Sequence, residues 1–95
     1  MKKTITSSML KKYREITKRA LELASKNVAL HKEQEANQIL ETVKNYLLDS
    51  EYFEKNHDLV NAFGSIYYAH GWLDSGARLR IFTVKDSKLF AVNEK

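Results

Sequence analysis

At positions 67–79 the chain reads Tyr-Tyr-Ala-His-Gly-Trp-Leu-Asp-Ser-Gly-Ala-Arg-Leu. Its apolar side chains recur three and four positions apart, which is the spacing of a helix and not of a strand. The residue choice is unusual for a helix, because three aromatic rings and two glycines fall within this short stretch. A helix with large side chains on two sides needs two neighbours, so this stretch decides the fold.

The same spacing continues on both sides of this stretch, from Leu59 to Phe82, and two further helical series precede it. The first series extends from Ile5 to Ala24, and the second from Ala36 to Phe53. We therefore expect helices over about residues 5–27, 33–55 and 58–82. Short connections favour antiparallel neighbours, so the sequence predicts an all-α fold, an up-down-up three-helix bundle over residues 1–82.

The residues at the expected helix ends agree with this reading. Thr4 or Thr6 is suited to cap the first helix, because a threonine hydroxyl accepts a hydrogen bond from a free backbone N–H. Asn56 is suited to the left-handed conformation that ends many helices. Asp58 is suited to cap the third helix.

The pattern changes after Phe82. Two apolar runs, residues 82–84 and 89–92, flank the polar residues 85–88. They predict either a small hairpin or an extended segment. Since a two-stranded ribbon is marginally stable alone, we expect residues 83–95 to form a C-terminal tail that packs on the bundle or is partly disordered.

Composition narrows the class of protein. Apolar residues are 43% and charged residues 29% of the 95 residues, as in an ordinary globular domain. The sequence has neither a long apolar span nor the apolar block of a secretory signal. It has no cysteine, which excludes disulfides, thiolate metal ligands and cysteine nucleophiles. We expect a cytoplasmic location.

The net charge of +4 is unevenly distributed. Residues 1–32 hold nine lysines and arginines against two glutamates, whereas residues 33–58 hold seven acidic side chains against two lysines. Such a division indicates either attraction to nucleic acid or pairing between the first two helices. We favour pairing, because antiparallel helices bring the two segments together. The residues available to the nucleic-acid alternative are Lys11, Arg14, Lys18, Arg19 and Lys26.

Projection of the third helix at about 100° per residue separates its faces. One apolar strip contains Phe63, Ile66, His70, Leu73 and Ala77, and a second contains Tyr68, Trp72 and Leu79. We expect both strips to be core, one against each neighbouring helix, with Trp72 buried.

A further face of this helix points outward. Glycine inside a helix costs about 1 kcal/mol relative to alanine, and two glycines fall on this face. They are either without consequence or form a shallow groove for a second helix or another copy of the chain. Tyrosine and arginine beside them are residue types that interfaces favour. The predicted interface consists of Gly64, Tyr67, Tyr68, Gly71, Ser75 and Arg78.

No catalytic arrangement emerges from the sequence. His70 and Asp74 lie one helical turn apart, as do His31 and Glu35, but a metal site needs further ligands. We expect His70 to lie at the edge of the core, hydrogen-bonded to Asp74, and His31 to be solvated. There is no Gly-rich phosphate loop and no supported nucleophile. We therefore expect neither metal nor cofactor, and no enzymatic activity.

Three segments together resemble the archaeal domain-of-unknown-function 357 family. They are residues 46–55, residues 58–63 and the run Tyr68-Ala69-His70-Gly71-Trp72-Leu73-Asp74, followed by Arg78-Leu79. The resemblance covers about residues 36–92, with 89–92 similar to the family's closing segment. It implies a short three-helix bundle and assigns no activity. This sequence has Asn56-His57 where the family has a single glycine, and Arg80 where it often has glycine.

These observations predict a non-enzymatic helical protein that acts through protein–protein contact, either by self-association or as an accessory subunit. The alternative is a weak RNA- or DNA-binding accessory protein that uses the basic first helix.

Overall fold

The computed structural model describes residues 4–92. It contains three helices, α1 (Ser7–Ser25), α2 (Glu33–Lys55) and α3 (Leu59–Arg78). Each contacts the other two, and α3 contacts both neighbours more extensively than they contact each other. The predicted all-α three-helix bundle is confirmed. Residues 1–3 of the predicted bundle and residues 93–95 of the predicted tail lie outside the described residues.

Alanine-rich contacts let the helices approach closely. Six alanines are buried, and larger side chains fill the space between them. Removing apolar surface from water is the main term that stabilises such a core. The buried alanines are Ala20, Ala24, Ala36, Ala62, Ala69 and Ala77.

Polar side chains also join the helices inside the bundle. Arg14 of α1 is buried; its Nε donates to Ser50 Oγ at 3.1 Å, and its NH2 lies 2.8 Å from Glu54 Oε1 on α2. At the surface, Lys18 Nζ lies 3.7 Å from Glu51 Oε1. Basic α1 and acidic α2 therefore pair with each other, as the charge division favoured.

Side-chain and backbone hydrogen bonds fix the helix ends. Thr6 Oγ1 accepts from Met9 N at 3.1 Å, and Asp58 Oδ1 accepts from Asn61 N at 3.2 Å, so the predicted cap at Asp58 is confirmed. The left-handed residue after α2 is His57, with φ 61°, and not Asn56, which has φ −92°.

A Schellman motif closes both α2 and α3. After α2, His57 N donates to Glu54 O and Asp58 N donates to Phe53 O. After α3, Arg80 takes the left-handed position with φ 61°, while its N donates to Ala77 O and Ile81 N donates to Gly76 O. These bonds satisfy carbonyls that would otherwise be free. They end α3 at Arg78, four residues before the predicted boundary.

The tail packs on the bundle without forming a hairpin among the described residues. Val28 and Phe82 form an isolated antiparallel bridge, which joins the chain after α3 to the α1–α2 connection. Val28–Leu30 therefore belongs to that connection and does not extend α1, which ends at Ser25. Further along the tail, Phe90 is buried in the main core together with Phe82.

A candidate contact surface on the third helix

The six predicted interface residues are all exposed on α3. Five of them, together with Val60, follow one another at steps of three or four and so form a single stripe along the helix. The residues of this stripe are Val60, Gly64, Tyr67, Gly71, Ser75 and Arg78. Tyr68 and Trp72 lie along one edge of this stripe. We call the stripe and this edge the outward face of α3.

Two aromatic clusters border the outward face. On the α1 side, the rings of Phe63 and Tyr67 are 4.6 Å apart edge to face, and Tyr13 of α1 lies 5.6 Å from Phe63. On the α2 side, Tyr46 lies 4.7 Å from Tyr68, whose ring is 6.4 Å from that of Trp72. Edge-to-face contacts are a favourable arrangement of aromatic rings, so the exposed rings of both clusters have packing partners within the protein.

Between these clusters the backbone of α3 is open. A Cβ atom added to Gly64 or Gly71 would have no neighbour within 4 Å, so no contact inside the protein requires glycine at either position. Near Gly64 there is a shallow depression of about 310 Å³, lined by Tyr46, Asn61, Gly64, Ser65 and Tyr68.

The prediction that Trp72 and its strip are buried is wrong. Trp72 remains 38% exposed, Tyr68 54% and Leu79 70%. The core side of α3 instead consists of Ala62, Ile66, Ala69, Leu73, Gly76 and Ala77. The reason is that α2 packs against the small residues of α3 and leaves the adjacent strip at the rim, where Tyr46 covers only one edge of it.

Most of this face carries no charge, and Arg78 at its C-terminal end is the exception among the residues that define it. Between Leu59 and Leu73, α3 carries no Asp, Glu, Lys or Arg, whereas α1 and α2 carry such residues throughout their exposed sides. Exposed helix faces of globular proteins are normally charged or polar. The outward face is therefore unlike the solvated faces of the other two helices.

His70 holds three elements together. Its Nδ1 lies 3.0 Å from Thr17 Oγ1 of α1 and its Nε2 lies 2.7 Å from the carbonyl oxygen of Leu89 in the tail. Because a carbonyl oxygen only accepts, Nε2 carries the proton, and in the neutral ring Nδ1 accepts from the Thr17 hydroxyl.

The predicted hydrogen bond between His70 and Asp74 is wrong. His70 Nε2 lies 3.7 Å from Asp74 Oδ1, which is too far for a hydrogen bond. Asp74 Oδ1 instead accepts from Ala91 N at 2.8 Å. Both side chains thus fasten the tail. Among residues 4–92 no three His, Asp or Glu side chains are grouped as a metal site requires.

Three residues of the nucleic-acid alternative line one depression, but three glutamates line it with them: the cations are Lys11, Arg14 and Lys18, and the acids are Glu15, Glu51 and Glu54. Arg14 is buried within the bundle and paired with Glu54. Lys18 is paired with Glu51, and Lys26 Nζ lies 3.0 Å from Glu22 Oε1. Lys11 and Arg19 are exposed.

Residues 12–82 match the model of a family described as protein of unknown function (DUF357). The chain belongs to the DUF357 family. The DUF357 match begins inside α1, well before residue 36, and ends at Phe82, so it leaves out residues 83–92 of the expected resemblance.

Comparison with curated proteins and with solved structures gives no match. No helix among the described residues of this DUF357 chain is long and apolar enough to cross a membrane.

Sequence reasoning missed several exposed apolar residues. Val60 is 72% exposed and lies on the same stripe as Gly64 and Tyr67, so helical spacing alone could have identified it. Leu48 and Tyr52 are also exposed, on α2. They are four residues apart and therefore share one side of α2, a spacing that the sequence also shows.

Proposed function

We propose that this chain is a non-enzymatic contact protein whose outward face of α3 binds a second copy of the same chain. The observation that carries the proposal is the exposed aromatic face without charge between Val60 and Leu73. Protein interfaces are depleted of charged residues at their centre and enriched in Tyr and Trp. Their aromatic residues supply most of the binding energy when they enter a pocket on the partner.

A second copy fits this face because the face is complementary to itself. A two-fold interface uses the same patch twice, so the patch must contain both halves of each contact. If two α3 helices pair antiparallel about a point near Ala69, Tyr67 of each copy lies across from Gly71 of the other. The open backbone at Gly71 then receives the tyrosine ring.

The remaining positions agree with the same register. Gly64 of one copy lies across from Ser75 of the other, so small residues face each other on either side of the Tyr67–Gly71 contact. Val60, which is 72% exposed, lies across from Arg78 at the other end of the stripe, so charge enters only at the ends of the contact, as in the polar rim of other interfaces. The contact extends along about 30 Å of helix.

Other functions have less support. His70, the side chain best placed for acid–base chemistry, has both ring nitrogens engaged within the fold. For the RNA- or DNA-binding alternative, Arg14 is internal and two of the lysines are paired with glutamates. Phosphate binding depends on free cations, so the first helix offers fewer contacts than its charge suggests.

Sedimentation equilibrium tests the proposal with a matched pair of variants. Gly71→Glu places a carboxylate in the centre of the outward face, where a partner would have to desolvate it. Gln38→Glu adds the same charge at an exposed position of α2, away from this face.

We expect the mass of the wild-type chain to rise towards that of a dimer as concentration increases. Gly71→Glu remains a monomer over the same range, and Gln38→Glu follows the wild type. A wild-type chain that stays monomeric at every concentration would exclude a second copy as the occupant. A dimer unaffected by Gly71→Glu would place the interface elsewhere.

A further inference from the structure

A cavity of about 480 Å³ lies between the C-terminal end of α3 and the tail. Its wall includes the cationic side chains of Arg78, Arg80 and Lys85 together with Phe82, Val84 and Val92. Sites for small molecules typically have volumes of about 300–1,000 Å³ and combine an apolar lining with a few polar groups. This cavity has both features.

The charge of the cavity wall has one sign. Among the described residues that line it there is no Asp or Glu. Within residues 4–92, moreover, the cationic groups of Arg78, Arg80 and Lys85 have no ion-pair or hydrogen-bond partner. Cations that converge on a cavity with low-dielectric walls raise the local concentration of anions.

Arg80 occupies a backbone position that disfavours it. Its φ of 61° is in the left-handed region, where glycine avoids a steric cost that other residues bear. The Schellman motif that closes α3 holds Arg80 in this conformation, as the same motif holds His57 after α2. The side chain that bears this cost lines the cavity.

The negative end of the α3 dipole attracts positive charge near the last turn of the helix. This attraction is a simpler reason for cations at Arg78 and Arg80. The dipole accounts for Arg78, but it does not explain why arginine and not glycine occupies the left-handed position at residue 80. It does not account for Lys85, which lies in the tail. Nor does it explain why the three groups surround a cavity with an apolar wall.

We propose that this cavity binds a small phosphorylated molecule with an apolar body, of about the size of a mononucleotide. The guanidinium groups of Arg78 and Arg80 are suited to phosphate, because their planar N–H groups match two oxygens at once. Lys85 adds a point charge, and Val84 and Val92 contact the apolar part of the ligand. This site shares Arg78 with the outward face of α3 but lies at the C-terminal end of the helix, away from the centre of that face at Gly71.

Isothermal titration calorimetry with the full chain tests the site. The probes are ADP, which joins phosphates to a nucleoside whose adenine ring has apolar faces, pyrophosphate, which has the charge alone, and adenosine, which has the nucleoside alone. We expect ADP to bind more tightly than pyrophosphate and adenosine not to bind. If ADP gives no binding signal, or if pyrophosphate binds as tightly as ADP, the proposal is overturned.

Arg80→Gly is the decisive variant, because it removes one cation while giving the backbone the residue that its conformation favours. We expect this variant to melt at or above the wild-type temperature and to bind ADP at least about tenfold more weakly, the loss of one charge-assisted contact. Lys44→Ala on α2 removes the same charge from an exposed position outside the cavity and should leave ADP binding unchanged.

Two outcomes with these variants contradict the proposal. Unchanged ADP binding in Arg80→Gly would show that the cavity is not the site. Equal weakening in Arg80→Gly and Lys44→Ala would show that ADP responds only to the net positive charge of the chain. Lys85→Ala provides a second test within the cavity, at an exposed position outside the helices, and should weaken ADP binding as Arg80→Gly does.

Discussion

The two kinds of glycine in α3 differ in what surrounds them. Gly71 faces open space, whereas Gly76 is buried, and a Cβ atom there would lie 2.5 Å and 2.7 Å from ring carbons of Phe82 and 3.2 Å from Ile39 Cδ1. Phe82 is itself 1% exposed, so its ring has little room to withdraw. The same amino acid therefore serves close packing at one position and an open surface at the other.

This difference predicts opposite effects of one substitution. Gly76→Ala should lower the free energy of unfolding by about 1–3 kcal/mol through overpacking. Gly71→Ala should raise it by about 0.5–1 kcal/mol, because alanine has the higher helix propensity and meets no neighbour. Urea denaturation in dilute solution measures both. A stabilising Gly76→Ala would show that the approach of Phe82 to α3 is looser than described.

The hydrogen bond between Thr17 and His70 gives a second test at the same scale. Thr17→Val keeps the shape of the side chain but removes the hydroxyl, which leaves His70 Nδ1 without its partner in a largely buried place. We expect a loss of about 1–3 kcal/mol, the cost of an unsatisfied buried polar group.

Thr42→Val is the matched control, since the Thr42 hydroxyl only donates to the carbonyl oxygen of Gln38 one turn earlier in its own helix. Thermal melting should show a fall of about 4–8 °C for each kcal/mol lost in Thr17→Val and little change in Thr42→Val. Equal melting temperatures for the two variants would mean that the Thr17–His70 contact adds nothing to stability.

At the scale of the elements, the helix ends depend on two residues in left-handed conformations. The sequence resemblance associated glycine with the region of Asn56-His57 and with Arg80, and the structure gives the reason: His57 and Arg80 both have φ 61°. A left-handed conformation at a helix terminus is the position that glycine favours.

His57→Gly should therefore stabilise the chain by about 1 kcal/mol, the order of the steric cost that a non-glycine residue bears there. Asn56→Gly, one residue earlier, should not stabilise it, because Asn56 has an ordinary φ of −92° and glycine only adds backbone freedom there. Guanidinium unfolding of both variants gives the comparison. Stabilisation by Asn56→Gly and not by His57→Gly would contradict the described termination of α2.

Periodicity could predict the helices and the outward face, because both depend only on which positions share a side of a helix. It could not predict that Trp72 stays at the rim, since the width of the contact with α2 is set by the small residues of α3 and by Tyr46. Nor could it place Arg14 inside the bundle, because that depends on Ser50 and Glu54 meeting it from another helix.

On the scale of the whole molecule, the tail completes the hydrophobic core that the helices form. Phe82 and Phe90 complete the main core, and the tail backbone reaches His70 and Asp74. These contacts join residues far apart in sequence, which is why the cavity beside Arg80 could not be read from local patterns. The tail thus covers the α1 side of α3, and the outward face remains free.

Antiparallel contact between the outward faces of two copies is the central claim, and disulfide trapping tests it most directly because the natural chain has no cysteine. Tyr67→Cys and Gly71→Cys are made as separate proteins, oxidised alone and as an equal mixture, and analysed on non-reducing gels. The proposed register predicts a covalent dimer in the mixture and little in either variant alone, because only the mixture places the two sulfurs across the interface. A mixture that gives no more dimer than the separate variants would contradict the claim.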